Sequence, residues 1–143
     1  MTARVLIVDD EPDILLMLRV NLEGAGFHTA LAADGETALR RIAEEAPDLV
    51  LLDVMMPVMD GWGVLDALSG SDRAPRVVVV SAKSSDRDVV RALNLGACEY
   101  VTKPFDPDDL VGTVERVLAS TPEELEARRR ETIERCGGTP GAA

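Results

Sequence analysis

A doubly wound α/β sandwich built on a five-stranded parallel sheet is the fold this sequence predicts, and three observations carry it. Short apolar runs alternate along the chain with segments of helical periodicity. Three of the five runs, at 5–8, 49–52 and 77–80, are apolar at every position rather than at every second one. That pattern belongs to strands covered by helices on both faces. Each run is also followed directly by polar residues, as expected where a ligand binds beyond the carboxyl ends of parallel strands.

The elements follow in chain order. VLIV at 5–8 gives the first strand, and Ile14, Leu15, Leu18 and Leu22 mark the first helix by their spacing of three and four. Gly24 and Gly26 end that helix, and HTAL at 28–31 is the second strand. Ala38, Leu39 and Ile42 mark the next helix, LVLL at 49–52 the third strand, and Val64, Leu65 and Leu68 a helix that stops at Gly70. VVVV at 77–80 forms the fourth strand, Val89, Ala92 and Leu93 the fourth helix with its stop at Gly96, and EYVT at 99–102 the fifth strand. A fifth helix runs from Pro107 to Ala119. Right-handed crossovers then stack these units into three layers.

Composition limits the function. With 143 residues the chain holds one domain of substantial core. Its 26 acidic and 15 basic side chains give a net charge of −11, which repels nucleic acid and anionic membrane over most of the surface. The N-terminus reaches acids before any sufficiently long apolar run, and no stretch has membrane-spanning length. Cys98 and Cys136 fit no metal-ligand or redox spacing, so both are expected as free thiols in a reducing cytoplasm.

The strand ends carry the chemistry. Asp9 and Asp10 follow the first strand, Asp53 the third and Ser81 the fourth, while Thr102 and Lys103 close the fifth. Three carboxylates gathered at one edge repel one another unless a cation compensates, and hard oxygen ligands with room for water favour Mg²⁺. Lys103 suits a phosphoryl oxygen, Ser81 can donate a further hydrogen bond, and Asp53 becomes a nucleophile for phosphorus. Taken singly, these residues have ordinary readings: the acids at 9–13 as a helix cap, Lys103 as a solvated lysine, Ser81 as a strand end and Tyr100 as an edge filler. Their convergence argues otherwise. His28 reads as a surface residue, and Trp62, Met55, Met56 and Met59 as packing and loop residues.

The segments VDDEPD at 8–13, LLDVMMPVMDG at 51–61, VVVVSA at 77–82 and YVTKPF at 100–105 make the chain resemble the receiver domain of two-component response regulators, over about residues 4–119. The resemblance implies a flavodoxin-like sheet of order 2-1-3-4-5 and a cis Lys103–Pro104 bond. It also implies transfer of a phosphoryl group to Asp53 from a histidine kinase or phosphotransfer protein. Asp10, Asp53 and the main-chain carbonyl of Met55 would hold Mg²⁺, with Asp9 acting mainly through water. Ser81 and Tyr100 would form the switch pair, remodelling the face of the fourth helix, fifth strand and fifth helix for a downstream protein target or a phosphorylation-dependent dimer. Met55 and Lys83 would flank the path of the hydrolytic water and tune dephosphorylation. Such a chain is a phosphoacceptor with self-catalysed chemistry rather than a turnover enzyme. The alternative is the receiver part of a DNA-binding transcriptional regulator. A haloacid-dehalogenase-like phosphatase would need an acid where Met55 stands, and a flavodoxin-like electron carrier would not place Asp9, Asp10 and Glu11 at its phosphate loop.

Residues 1–120 are thus expected to be the receiver, 121–136 a charged helix and 137–143 a disordered tail. Thr121-Pro122-Glu123-Glu124 reads as a capping box with proline at the first helical position. Glu124 with Arg128, Glu126 with Arg130 and Glu131 with Arg135 have the favourable spacing of four, which suggests a solvated helix, weakly docked or projecting.

Overall fold

The computed structural model describes residues 2–56, 60–69, 71, 74–83 and 85–141. Met59 and Gly70, assigned above to a loop and a helix stop, lie outside them. The element order is β1 (Arg4–Val8), α1 (Pro12–Gly24), β2 (His28–Ala32), α2 (Gly35–Glu45), β3 (Leu49–Leu52), α3 (Gly61–Leu68), β4 (Arg76–Ser81), α4 (Asp86–Asn94), β5 (Glu99–Thr102), α5 (Pro107–Ala119) and α6 (Pro122–Arg135). The strands form one parallel sheet in the order β2-β1-β3-β4-β5, as the resemblance implied.

Alternate residues of the central strands feed two separate cores. Leu6, Val8, Val50, Leu52, Val77 and Val79 face α2, α3 and α4, meeting Ala38, Trp62, Val64, Leu65 and Leu93. Val5, Ile7, Leu49, Leu51, Val78 and Val80 face α1 and α5, meeting Leu18, Leu22, Leu110, Val114 and Val117. The runs are apolar at every position because both faces are buried. Trp62 packs in the first core, with the Arg91 guanidinium 4.1 Å above its ring.

Local chemistry sets the helix ends. Side chains of Asp34, Asp60, Ser85 and Asp106 accept hydrogen bonds from the first-turn amides of Thr37, Gly63, Asp88 and Asp108. The Thr37 amide holds the Asp34 carboxyl below its ordinary value. Gly26 and Gly96 turn the chain with φ of 96° and 110°, as read from the sequence. α2 instead ends at Ala46, with φ 46°, and Pro47 then prevents continuation.

α6 has the expected capping box, in which the Thr121 amide donates to Glu124 Oε1 (3.0 Å) and the Glu124 amide to Thr121 Oγ1 (3.1 Å). It does not project. Leu125 and Ile133 are 5% and 1% exposed, and Arg128 and Arg129 turn toward the domain while Arg130 and Arg135 stay exposed. Arg128 reaches toward Glu99, Arg129 pairs with Glu126 at a spacing of three, and Arg135 bonds Thr132. Docking offers carbonyls and a carboxylate that a solvated helix would not meet. Residues 137–141 also make defined contacts with α4. Cys98 and Cys136 are free thiols, and no helix among the described residues is long and apolar enough to cross a membrane.

Candidate functional site

The sheet ladder extends past the strands and fixes the site's main chain. The Asp9 amide donates to Ala32 O (3.1 Å), the Asp53 amide to Val8 O (3.0 Å) and the Lys103 amide to Ser81 O (2.8 Å). The side chains of Asp9, Asp53 and Lys103 therefore leave a rigid edge, and Asp9 and Asp53 are only 2% and 3% exposed. The Lys103–Pro104 peptide is cis.

Lys103 Nζ lies 2.7 Å from Asp9 Oδ2, 3.0 Å from Asp53 Oδ2 and 3.7 Å from Glu11 Oε1. The other carboxylate oxygens are held by main chain: Asp9 Oδ1 accepts from the Glu11 amide (2.9 Å) and Asp53 Oδ1 from the Met55 amide (2.8 Å). Asp10 is exposed, yet one of its oxygens falls within 4.8 Å of ligand atoms on Asp9 and Asp53. Burial pushes the Asp53 carboxyl above its ordinary 3.8, against the opposing pull of the Met55 amide and Lys103. Burial alone would depress Lys103, but its hydrogen bonds to Asp9 and Asp53 and their charges outweigh this and raise it. One ammonium among these acids leaves an excess of negative charge, and hard oxygen donors of this kind fit Mg²⁺.

Ser81 is fully buried beside this cluster. Its Oγ accepts from the Lys83 amide (3.2 Å), while the Tyr100 hydroxyl donates to the Lys83 carbonyl (2.6 Å). The main chain of Lys83 thereby joins the two residues expected to switch. Burial raises the Tyr100 hydroxyl above its ordinary value, helped by the charges of Asp88 and Asp53 and opposed by hydrogen bonding with Ser81. Met55 and Lys83 are both exposed at the rim, Met55 to 49%. Thr102 pairs with Ser81 in register and is exposed.

Two participants, Glu11 and Gly61, were not singled out from sequence as site residues, and a third, Lys83, was singled out only as flanking the path of the hydrolytic water. Glu11 approaches Lys103 because α1 begins directly behind the acids. Lys83 contributes main-chain groups, which no side-chain motif reveals. Gly61 opens α3 against the backbone of Asp53 and Val54, where an added Cβ would overlap the Asp53 carbonyl oxygen and Val54 Cα. The glycine in the MDG triplet was the available signal for that close approach.

The family model of the response regulator receiver domain matches residues 5–115. The DNA-binding response regulator MtrA of Mycolicibacterium smegmatis is 44% identical over 124 residues, 87% of this chain and 54% of that protein. The transcriptional regulatory protein KdpE of Mycobacterium tuberculosis is 48% identical over 107 residues, 75% of this chain and 47% of that protein. The chain spans about half the length of these curated relatives. A CheY-like receiver domain protein from Methanospirillum hungatei superposes with a TM-score of 0.78 at 30% identity, over 90% of this chain and 99% of that one. With its acids, hydroxyl and lysine gathered at one edge of a β2-β1-β3-β4-β5 sheet, the chain belongs to the receiver domain family of two-component response regulators.

Proposed function

We propose that this receiver accepts a phosphoryl group on Asp53 from the phosphohistidine of a sensor kinase or phosphotransfer protein. The observation that carries the reading is the position of Lys103 Nζ, within hydrogen-bonding distance of both Asp53 and Asp9. A carboxylate oxygen of Asp53 attacks phosphorus, the P–N bond breaks, and the electron pair leaves with the imidazole nitrogen, which takes up a proton. Asp53 then carries an acyl phosphate. Lys103 pairs with a phosphoryl oxygen as charge moves onto the group, and positioning with charge neutralisation supplies most of the catalysis. Asp10, Asp53 and the Met55 carbonyl would hold Mg²⁺, with Asp9 acting mainly through water. When bound, the metal supplies positive charge for the phosphoryl oxygens.

The acyl phosphate adds charge and acceptors beside Ser81. Ser81 then exchanges its bond from the Lys83 amide for one to a phosphoryl oxygen, Tyr100 leaves the Lys83 carbonyl and turns inward, and the face of α4, β5 and α5 is remodelled for a protein target. Met55 and Lys83 limit access of the hydrolytic water and lengthen the signal. The same acceptor chemistry would serve a receiver joined to a DNA-binding output module, an alternative that reading the gene past Ala143 tests. Intact-mass analysis after treatment with acetyl phosphate and Mg²⁺ tests the main reading. One phosphoryl adduct is expected in wild type and none in Asp53→Asn or in chelator; full labelling of either control would overturn it.

A further inference from the structure

α6 carries the most structure that the phosphoryl chemistry leaves unused. It passes the start of β5, the edge strand, and inserts one residue into each core: Leu125 on the α1 and α5 side, Ile133 on the α4 side. Between them Arg129 donates through Nε to Ala97 O (3.1 Å) and through a terminal nitrogen to Gly96 O (3.3 Å), gripping the turn that joins α4 to β5. Arg128 lies 4.0 Å from Glu99, the first residue of β5.

The chain then folds back along α4. Gly137 takes φ 80°, and the amides of Gly137 and Gly138 donate to the carbonyls of Glu134 (3.0 Å) and Ile133 (2.9 Å), the two bonds of a glycine-ended helix stop. The Cys136 thiol lies beside Asp86, the first residue of α4, whose charge adds to burial in raising it. Gly138 lies so close to Val90 that an added Cβ would stand 2.7 Å and 2.8 Å from its two methyl carbons. Asn94 donates to Thr139 O (3.2 Å) and accepts from the Gly141 amide (2.8 Å). Asp86, Val90 and Asn94 recur every four residues, so α6 and its return segment cover one continuous stripe of α4.

This cover is held by few apolar groups, since Leu125 and Ile133 are the buried residues of α6. Its seat is also tied to the switch. Tyr100 lies on β5 and packs against the core that receives Ile133, while its hydroxyl holds the Lys83 carbonyl in the loop that enters α4. Any shift of Lys83 and Tyr100 moves the surface on which α6 rests.

We propose that α6 with residues 137–141 is an intramolecular cover over the α4–β5 surface, docked in the unphosphorylated chain and loosened when Asp53 is phosphorylated. The inference rests on the receiver reading above and adds how access to its α4–β5 surface is regulated.

Amide hydrogen exchange of the full chain, with and without beryllofluoride and Mg²⁺ as phosphoryl analogue, tests it. Amides of 125–136 are expected to exchange roughly fivefold faster in the loaded form, the low end of ordinary coupling between sites, and the same factor must then appear as tighter beryllofluoride binding when the cover is weakened. Arg129→Ala weakens it at the helix, and Gly138→Val weakens it only at the return segment, so that loss of folding in one leaves the other to decide. Unchanged protection of α6 while residues 81–103 respond, or unchanged beryllofluoride affinity in a folded variant, would make α6 a fixed brace and overturn the cover with the receiver reading intact. No response anywhere, together with no acetyl phosphate adduct, would overturn the receiver reading and the cover with it.

Discussion

Lys103 Nζ stands 3.0 Å from Asp53 Oδ2 and 2.7 Å from Asp9 Oδ2, so one ammonium serves two carboxylates that are almost wholly buried. The compensation is incomplete, because burial still holds the Asp53 carboxyl above 3.8. A phosphoryl group bound here would enter a site that already has excess negative charge, which is the physical reason to expect labelling to require a metal.

Removing either partner should therefore act in opposite directions on the metal-free fold. Asp53→Asn replaces a buried charge by a neutral group of the same shape and is expected to stabilise by about 1 kcal/mol, the low end of the gain when buried ionic groups are neutralised by substitution. Lys103→Met leaves two buried carboxylates without their cation and should destabilise by about 2 kcal/mol, below the range for fully buried pairs because the site opens to water. Urea unfolding near neutral pH measures both. Destabilisation by Asp53→Asn would show that Lys103 fully balances the carboxylate.

The sign of the pH dependence follows from the raised Asp53 carboxyl. Because the folded Asp53 binds its proton more tightly than the unfolded chain does, its contribution favours folding below the ordinary 3.8 and is lost as pH rises through the raised folded value. Lys103 is also raised, so its contribution persists below its ordinary 10.5 and is lost only in strong alkali. Magnesium affinity requires the ionised carboxylate and should fall on acidification at a higher pH than for an ordinary aspartate. Carboxyl-carbon NMR of Asp53 in metal-free protein is expected to titrate above 3.8; a midpoint at or below it would contradict the dominance of burial.

Gly61→Ala tests the close approach of α3 to the acceptor. The new methyl would overlap the Asp53 carbonyl oxygen and Val54 Cα, which are main-chain atoms held by the ladder. The expected cost is about 3 kcal/mol, at the upper end for overpacking. Acetyl phosphate labelling should slow in parallel. A change at Gly112, where an added Cβ meets nothing within 4 Å, is the control and should be mild.

Tyr100→Phe removes the hydroxyl that donates to the Lys83 carbonyl. Labelling of Asp53 should remain, since the Tyr100 hydroxyl bonds the Lys83 carbonyl rather than Asp53, and stability should fall by about 1 kcal/mol. The amide-shift response of residues 81–119 to phosphorylation should shrink. An undiminished response would place the switch elsewhere.

Met55→Asn probes the lifetime of the acyl phosphate. Met55 is 49% exposed at the rim and has no strong hydrogen-bonding group for the attacking water. An amide there should accelerate dephosphorylation about tenfold, equivalent to about 1.4 kcal/mol of positioning. Decay followed at fixed Mg²⁺ in both forms decides, and an equal or slower rate in the variant counts against gating.

The features legible in the sequence were periodic or local. Strands buried on both faces announced themselves through uninterrupted apolar runs such as 49–52, and the capping box at Thr121 needs only three neighbouring residues. Asp9, Asp53 and Lys103 were legible as one site because parallel strands deliver their ends to one edge. Which atoms meet across long sequence separations was settled by the packing of the layers. The grip of Arg129 on Gly96 and Ala97 and the packing of Gly138 on Val90 have no periodic signature. Lys83 joins Ser81 to Tyr100 through main-chain groups that every residue type carries. Spacing encodes which face a residue occupies, whereas such contacts depend on where the packed layers bring those faces together.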